Sequence, residues 1–283
     1  MAEKSGKILI KSGRVLDPTS GFDQEADVLI ESGRIKAIDK GINMQVDHVI
    51  DARKRWVAPG LIDIHVHFRV PGQEYKEDIE SGSLAAAAGG FSTVCCMANT
   101  TPVNDERTVT QYICNRAKEV GQIRVHPIAA MTKGLLGAEL CDYADLKAGG
   151  AIALSDDGVG VKDSTVMRNV LSYAKTNGLL VMQHCEDLSL SQGGSAHEGD
   201  VALRLGIRSQ PAEAEAIMLG RDIELVALTG APYHALHLSC APSLRLVREA
   251  KKRGLPVTCE VAPHHFSFTD DACASFDTAA KVN

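Results

Sequence analysis

An α/β fold on a parallel sheet is predicted, and three features of the sequence predict it. Apolar runs recur from Leu61 onward, beginning near residues 61, 92, 123, 151, 179, 233 and 256. Most of these starts are about 30 residues apart, the length of one βα unit. A helical pattern follows each run, and strands covered by crossover helices read as continuous apolar stretches. Seven such units favour a (β/α)8 barrel with its last strand missing. An open doubly wound sheet is the competing arrangement. No G-x-G-x-x-G follows the first strand, so nothing points to a dinucleotide.

Ahead of the barrel the texture differs. Between Lys7 and Trp56 the apolar segments are short, rich in Val and Ile, and split by turn signals. Ile8-Leu9-Ile10 runs into Lys11-Ser12-Gly13-Arg14, read as a turn. Ala26 to Ile30 runs into Glu31-Ser32-Gly33-Arg34, read as a second turn. Ile35 to Ile38 and Val49-Ile50 complete the set. The predicted organisation is a small β-sandwich-like unit over residues 1–56 and a barrel over residues 57–283.

Helices are placed by apolar spacing and by their stops. Asn104 to Val120 puts Val109, Tyr112, Ile113, Ala117 and Val120 on one face, with Gly121 as the stop. Ser164 to Asn177 groups Val166, Met167, Val170, Leu171 and Ala174 ahead of Gly178. Pro242 to Arg253 opens with proline in its first turn and ends at Gly254. The longest gap holds the polar segment Ser189 to Gln210 with Gly193-Gly194, a candidate active-site loop.

Composition excludes several function classes. Apolar residues at 45% and charged residues at 23% are globular values, not those of a disordered chain. A net charge of -6 without a dense Lys/Arg stripe argues against a nucleic-acid or anionic-membrane surface. Leu84 to Ala98 is shorter than a bilayer span and is interrupted by Gly89 and Gly90. The start of the chain lacks the apolar core of a secretory signal. Eight cysteines without a C-x-x-C pair read as reduced, mostly buried thiols in a cytoplasmic protein.

The sharpest chemical signal is Asp63-Ile64-His65-Val66-His67-Phe68-Arg69 at the end of the first barrel strand. Residues two apart on a strand share a face, so His65 and His67 can grip one metal ion. Later runs also end in candidate ligands: Ser155-Asp156-Asp157-Gly158, Gln183-His184-Cys185-Glu186-Asp187, and His234-Ala235-Leu236-His237. Barrel active sites are built at that end of the strands. Parity alone does not choose between Asp156 and Asp157.

These motifs resemble the amidohydrolase superfamily, and within it the type I dihydroorotases. Met97-Ala98-Asn99-Thr100, His197-Glu198-Gly199, Ala262-Pro263-His264-His265 and Lys281-Val282-Asn283 extend the resemblance over the whole chain. The resemblance implies a barrel of the metal-dependent hydrolase type. It implies that His65 and His67 bind a first zinc, that His184 and His237 bind a second where one is present, and that Asp157 bridges or supports them. It places Arg69, Asn99 and Asn283 on the substrate, and a guanidinium suits a carboxylate there. His264 and His265 have opposite parity and are read as supporting or structural.

The implied activity is zinc-dependent, reversible cyclisation of N-carbamoyl-L-aspartate to dihydroorotate in pyrimidine synthesis. Zinc acidifies water and polarises the ring amide. The fourth run ends without a lysine, which tilts the reading away from hydantoinases, where a carboxylated lysine bridges the metals. The resemblance puts the general acid/base, an Asp on the eighth strand, beyond Asn283, so little activity is expected of this chain alone. The alternatives are a non-catalytic subunit scaffolding aspartate carbamoyltransferase, and another cyclic amidase such as allantoinase or dihydropyrimidinase. A homodimer or assembly with the transcarbamoylase is the expected partnership.

Overall fold

A computed structural model describes residues 6–280. The chain forms two compact units. One runs to Ile62 and includes Gly90–Ser92; the other comprises Asp63–Gly89 and the chain from Thr93 onward.

The first unit is a five-stranded sheet. Its strands are β1 (Lys7–Asp17), β2 (Phe22–Glu31), β3 (Arg34–Asp39), β4 (His48–Asp51) and β5 (Trp56–Val57), in the order β3-β2-β1-β4 with β5 also on β1. β1 pairs antiparallel with β2 and parallel with β4 and β5. Val15, Ala26 and Val28 form its buried cluster.

The tripeptide Ser-Gly-Arg takes two different forms here. At Ser32-Gly33 it is the expected turn, with φ of 50° and 71° joining β2 to β3, the two positive angles that suit a two-residue hairpin. At Ser12-Gly13 the expected turn is absent and β1 runs straight through. The residues form a β-bulge, with a register shift between Ile10 and Gly13 and a φ of 59° at Ser12. The cause lies across the sheet. Asp27 is 3% exposed and its Oδ1 accepts the Ser12 N–H at 2.8 Å, while its Oδ2 accepts the Ile42 N–H at 2.9 Å. A Cβ on Gly13 would stand 2.5 Å from Cγ2 of Val57, so only glycine fits beside the bulge.

The second unit alternates strand and helix. Its strands are β6 (Leu61–Val66), β7 (Phe91–Cys96), β8 (Arg124–Ala129), β9 (Ala153–Leu154), β10 (Leu180–Gln183), β11 (Tyr233–Ala235) and β12 (Val257–Cys259). They lie side by side in chain order, and β7 through β12 pair parallel throughout. Helices α1 (Ile79–Ala88), α2 (Arg107–Val120), α3 (Tyr143–Gly149), α4 (Ser164–Asn177), α5 (Leu188–Ser191), α6 (Asp200–Leu205), α7 (Glu213–Thr229), α8 (Ala241–Lys252) and α9 (Pro263–Ser267) fill the intervals and follow β12. The long polar gap thus carries α5 and α6.

Local chemistry explains the helix ends. Asp163 caps α4 by accepting the Val166 N–H at 2.9 Å, and Gly178 closes it in the left-handed region. The start of α2 departs from expectation. Asn104 is not helical; it is fully buried, donating to the Ile128 carbonyl at 2.9 Å and accepting the Thr110 hydroxyl at 2.7 Å. These bonds hold it outside the helix, which begins three residues later. They also turn Thr110, Ile113 and Ala117 inward and leave Tyr112 47% exposed.

Two apolar clusters flank the sheet. The larger takes Ala129, Leu154 and Val181 from the strands, with Met167, Val170, Leu171, Leu219, Ile223 and Val247 from the helices. The smaller takes Cys95, Met97, Ile128, Ala153, Met182 and Leu236 from β7 to β11 and the residues just past them. Ile128 and Ala129, Ala153 and Leu154, and Val181 and Met182 alternate between the two, as neighbours on a strand must. The eight thiols are free; Cys95, Cys96, Cys141 and Cys185 are buried and the other four half-buried.

The sheet is curled. Laid flat, seven strands at about 4.8 Å spacing would put β6 and β12 about 29 Å apart. Instead His65 on β6 and Glu260, next after β12, meet at 2.5 Å. This is the curvature of a barrel wall, and it brings the strand ends to one place. Among the described residues no helix is long and apolar enough to cross a membrane.

Asp27 offers a test of the β unit. Asp27→Ala leaves two backbone N–H groups without their acceptor, at about 1–3 kcal/mol each. A loss of about 2–4 kcal/mol is expected, read by hydrogen exchange as accelerated exchange at Ser12 and Ile42. Amides in β10 should keep their protection.

Candidate metal centre

Five side chains converge at the C-terminal ends of the curled strands. Asp157 is their hub and is 6% exposed. Its Oδ2 lies 3.6 Å from Nε2 of His65 and 3.5 Å from Nε2 of His67. Its Oδ1 lies 3.7 Å from Nδ1 of His184 and 3.4 Å from Nε2 of His237. One carboxylate thus faces two imidazole pairs, one pair per oxygen. Each pair with Asp157 forms a group whose ligand atoms lie within 4.8 Å of one another.

Strand parity delivers most of these groups. Asp157 stands in the turn three residues past β9, and its contacts with the four imidazoles place it on the side of Ala153 in the smaller cluster, while Asp156 faces away. Asp156 turns instead into the backbone between β8 and α3. It is fully buried and accepts the N–H of Met131 at 2.7 Å, the N–H of Thr132 at 3.1 Å and the Thr132 hydroxyl. The two adjacent aspartates therefore have separate tasks, one facing the centre and one fixing the loop that carries it. His184 shares its face with Met182 in the same way. His237 does not follow the rule. Alternation from Leu236 would turn it away, but its backbone has a φ of 32°, which breaks the alternation and swings the ring inward.

Strand β6 ends at Val66, so His67 and Arg69 lie just past it. Strand parity does not carry Arg69. A φ of 59° turns its backbone, and its Nη1 reaches the Asn99 carbonyl at 3.5 Å. Asn99 lies three residues past β7; its Oδ1 is 3.0 Å from Nδ1 of His67 and its Nδ2 donates to Oδ2 of Asp157 at 3.4 Å. The structure thus brings Arg69 and Asn99 to the same side as His67. Asn283 lies outside the described residues. His264 and His265 fall on α9, where Nδ1 of His265 accepts the Ala262 N–H at 3.1 Å.

Two contributors, Glu186 and Glu260, were given no role from the sequence. Oε2 of Glu186 is 3.0 Å from Nε2 of His184. Glu260 touches both His65 and His234, at 2.5 and 3.3 Å. The available signal was parity: Glu186 lies two residues past His184, and Glu260 shares a face with Thr258.

The electrostatics follow from burial competing with charge. Burial pushes the Asp157 carboxyl up, but His184, His237 and His65 outweigh it and hold it far below the usual carboxylate range. Burial pushes His65 and His184 down, yet their bonds to Asp157, aided by Glu260 and Glu186 respectively, bring both to about 9. His67 stays below its ordinary value because burial dominates there.

The donor set fits a divalent cation. Four imidazole nitrogens and a carboxylate are the ligand types of zinc and other first-row metals. Two ligand atoms on one tetrahedral ion, each about 2.0–2.2 Å from it, stand about 3.3–3.6 Å apart. The separations of 3.4 to 3.7 Å around Asp157 match that spacing, while Nδ1 of His184 and Nε2 of His237 stand closer, hydrogen-bonded at 2.9 Å. Each of His65, His67 and His184 also has its other ring nitrogen engaged by an oxygen, as metal-binding histidines do.

Comparison with known proteins identifies the family and the fold. A family model described as Dihydro-orotase-like matches residues 54–243. The chain is 54% identical over 276 residues to a dihydroorotase of Desulfotalea psychrophila, covering 98% of this chain and 65% of that protein. It is 48% identical over 275 residues to a dihydroorotase of Solibacter usitatus, covering 97% and 64%. The chain therefore spans about two thirds of the length of these relatives. Among solved structures it resembles an L-hydantoinase (dihydropyrimidinase) from Arthrobacter aurescens, with a TM-score of 0.85 at 21% identity over 97% of this chain and 62% of the other. A D-hydantoinase (dihydropyrimidinase) from a Thermus species gives a TM-score of 0.75 at 27% identity, over 93% and 59%. These likenesses bear out the barrel fold.

Metal uptake should be strongly pH-dependent. In the metal-free protein His65 and His184 titrate at about 9, so both hold an extra proton at pH 7. A cation must displace those protons, so affinity should rise about tenfold per pH unit for each proton displaced and level off above pH 9. Adding Zn2+ in weak buffer at pH 7 should release acid, measurable by titration. Without metal the sign reverses. The raised pKa values stabilise the fold fully below their unfolded value, and that stability fades as pH climbs through 9.

Proposed function

This chain belongs to the dihydroorotase-like family, and from that premise we propose that its His/Asp centre holds one or two zinc ions and acts on the ring amide of dihydroorotate. The observation that carries the reading is the convergence of His65, His67, His184 and His237 on Asp157 with Arg69 alongside. The same centre runs in the reverse direction on N-carbamoyl-L-aspartate, closing the ring with loss of water.

His65 and His67 would hold one ion through Nε2, and His184 and His237 a second, with Asp157 between them. A divalent cation there supplies Lewis acidity, polarising an amide carbonyl and lowering the pKa of water toward neutrality. The remaining work falls to the protein. Asn99 takes the Nδ1 proton of His67 and keeps its Nε2 free for the centre. Glu186 does the same for His184 from the opposite nitrogen. Arg69 would receive the substrate carboxylate as a two-pronged ion pair. That contact orients the ring so that its amide, and not its carboxylate, meets the centre.

Arg69 separates this reading from a hydantoinase-like one, whose neutral cyclic substrates offer no carboxylate. Arg69→Met should weaken dihydroorotate binding to the zinc-loaded chain about 10- to 150-fold, the value of a hydrogen bond to a charged group. Binding of hydantoin or dihydrouracil should be weak and unchanged. Calorimetric titration with each ligand, beside a turnover assay, makes the comparison. Tighter binding of the neutral rings, indifferent to Arg69, would overturn the assignment.

A further inference from the structure

We propose that Glu260 is the positioning residue of this centre, fixing the ring orientation and tautomer of His65 so that Nε2 presents a lone pair to the cluster it forms with His67 and Asp157. The proposal deepens the metal-centre reading and does not depend on the substrate.

The geometry is a short chain of directed bonds. Oε1 of Glu260 meets Nδ1 of His65 at 2.5 Å, and its Oε2 meets Nε2 of His234 at 3.3 Å. Nδ1 of His234 meets the Thr258 hydroxyl at 2.7 Å. Hydrogen counting sets the direction. A carboxylate only accepts, so both imidazole nitrogens facing Glu260 must carry hydrogen. A neutral His234 then has its one proton on Nε2, and its bare Nδ1 must accept from Thr258. The Thr258 hydroxyl has one hydrogen and two neighbours, this nitrogen at 2.7 Å and the Tyr233 carbonyl at 3.5 Å. The shorter contact takes it, and every atom in the chain is satisfied.

The consequence reaches His65. With its proton held on Nδ1 by Glu260, its Nε2 is free, and that is the nitrogen 3.6 Å from Oδ2 of Asp157. Glu260 can hold it there because Glu260 is itself held. Its side chain is 16% exposed, it stands one residue past β12, and His234 at 5% exposure packs against its second oxygen. None of these groups needs to touch substrate. Of His65's two nitrogens, one faces Glu260 and one faces Asp157, so the acid just past β12 decides which is offered to a cation on the far side.

Glu260→Gln keeps the shape but presents one oxygen and one NH2 group. Its one oxygen can accept from only one of the two histidines, so the hold on the His65 proton is weakened rather than abolished. Glu260→Ala removes the acceptor altogether, and Thr258→Val perturbs the chain at its far end. In the metal-free chain at about pH 10, long-range nitrogen–proton spectra should show His65 protonated at Nδ1 in the parent. A mixture or the opposite tautomer is expected in Glu260→Ala, with a smaller shift in Glu260→Gln. With Zn2+ titrated against a chromophoric chelator, the cluster of His65, His67 and Asp157 should lose about 10- to 100-fold in affinity. The cluster of His184, His237 and Asp157 should hold its own, and Glu260→Asp should recover part of the loss.

An unchanged His65 tautomer in Glu260→Ala would overturn the proposal. So would equal weakening of both clusters, which marks a general structural effect. Should one Glu260 variant fail to fold, the other and Thr258→Val carry the same comparison. If the parent chain binds no metal at all, the metal-centre reading fails, and the tautomer measurement still decides the part played by Glu260.

Discussion

A single buried carboxylate organises the second unit. Asp157 sits among four imidazoles and is 6% exposed, with His65 and His67 at one oxygen and His184 and His237 at the other. An ion so placed is costly unless countercharge surrounds it. The protein meets that need with histidines that either hold extra protons or surrender them to a metal. The arrangement requires the ends of β6, β9, β10 and β11 at one point, and only a curled sheet can bring them there. The barrel curvature and the centre are therefore one structural fact.

Around that anion the protein repeats one device. Glu260, Asn99 and Glu186 each take one ring nitrogen of a histidine and leave the other facing Asp157. The histidines differ in which nitrogen they offer: Nε2 for His65 and His67, Nδ1 for His184. A protein that fixes these choices before a cation arrives lowers the reorganisation that binding would demand. Asp156 serves the same end from outside, tying its segment to the backbone at Met131 and Thr132.

Much of this was legible in the sequence. The seven apolar runs fall on β6 to β12, and α4 spans Ser164–Asn177 as its apolar spacing and Gly178 predicted. The pairing of His65 with His67 followed from the period of a strand. Where legibility failed, the missing information was a distant partner. Ser12-Gly13 and Ser32-Gly33 are the same dipeptide followed by arginine. One is a turn, and the other is a bulge because Asp27 on the neighbouring strand captures the Ser12 amide. Asn104 fits a helical pattern but is held out of it by Ile128 and Thr110.

The sequence by itself determined the α/β class, the order of strands and the ligand types, because periodicity and residue chemistry are local properties. The tertiary structure decided the rest. It turned Asp157 rather than Asp156 to the centre in the turn past β9, where the Met131 and Thr132 amides capture Asp156. It brought His237 inward through a left-handed backbone that breaks parity, and it set Glu260 against His65 across the two edges of a curled sheet. Those outcomes depend on which residues stand opposite one another in space. A one-dimensional pattern carries that information only once the sheet has closed.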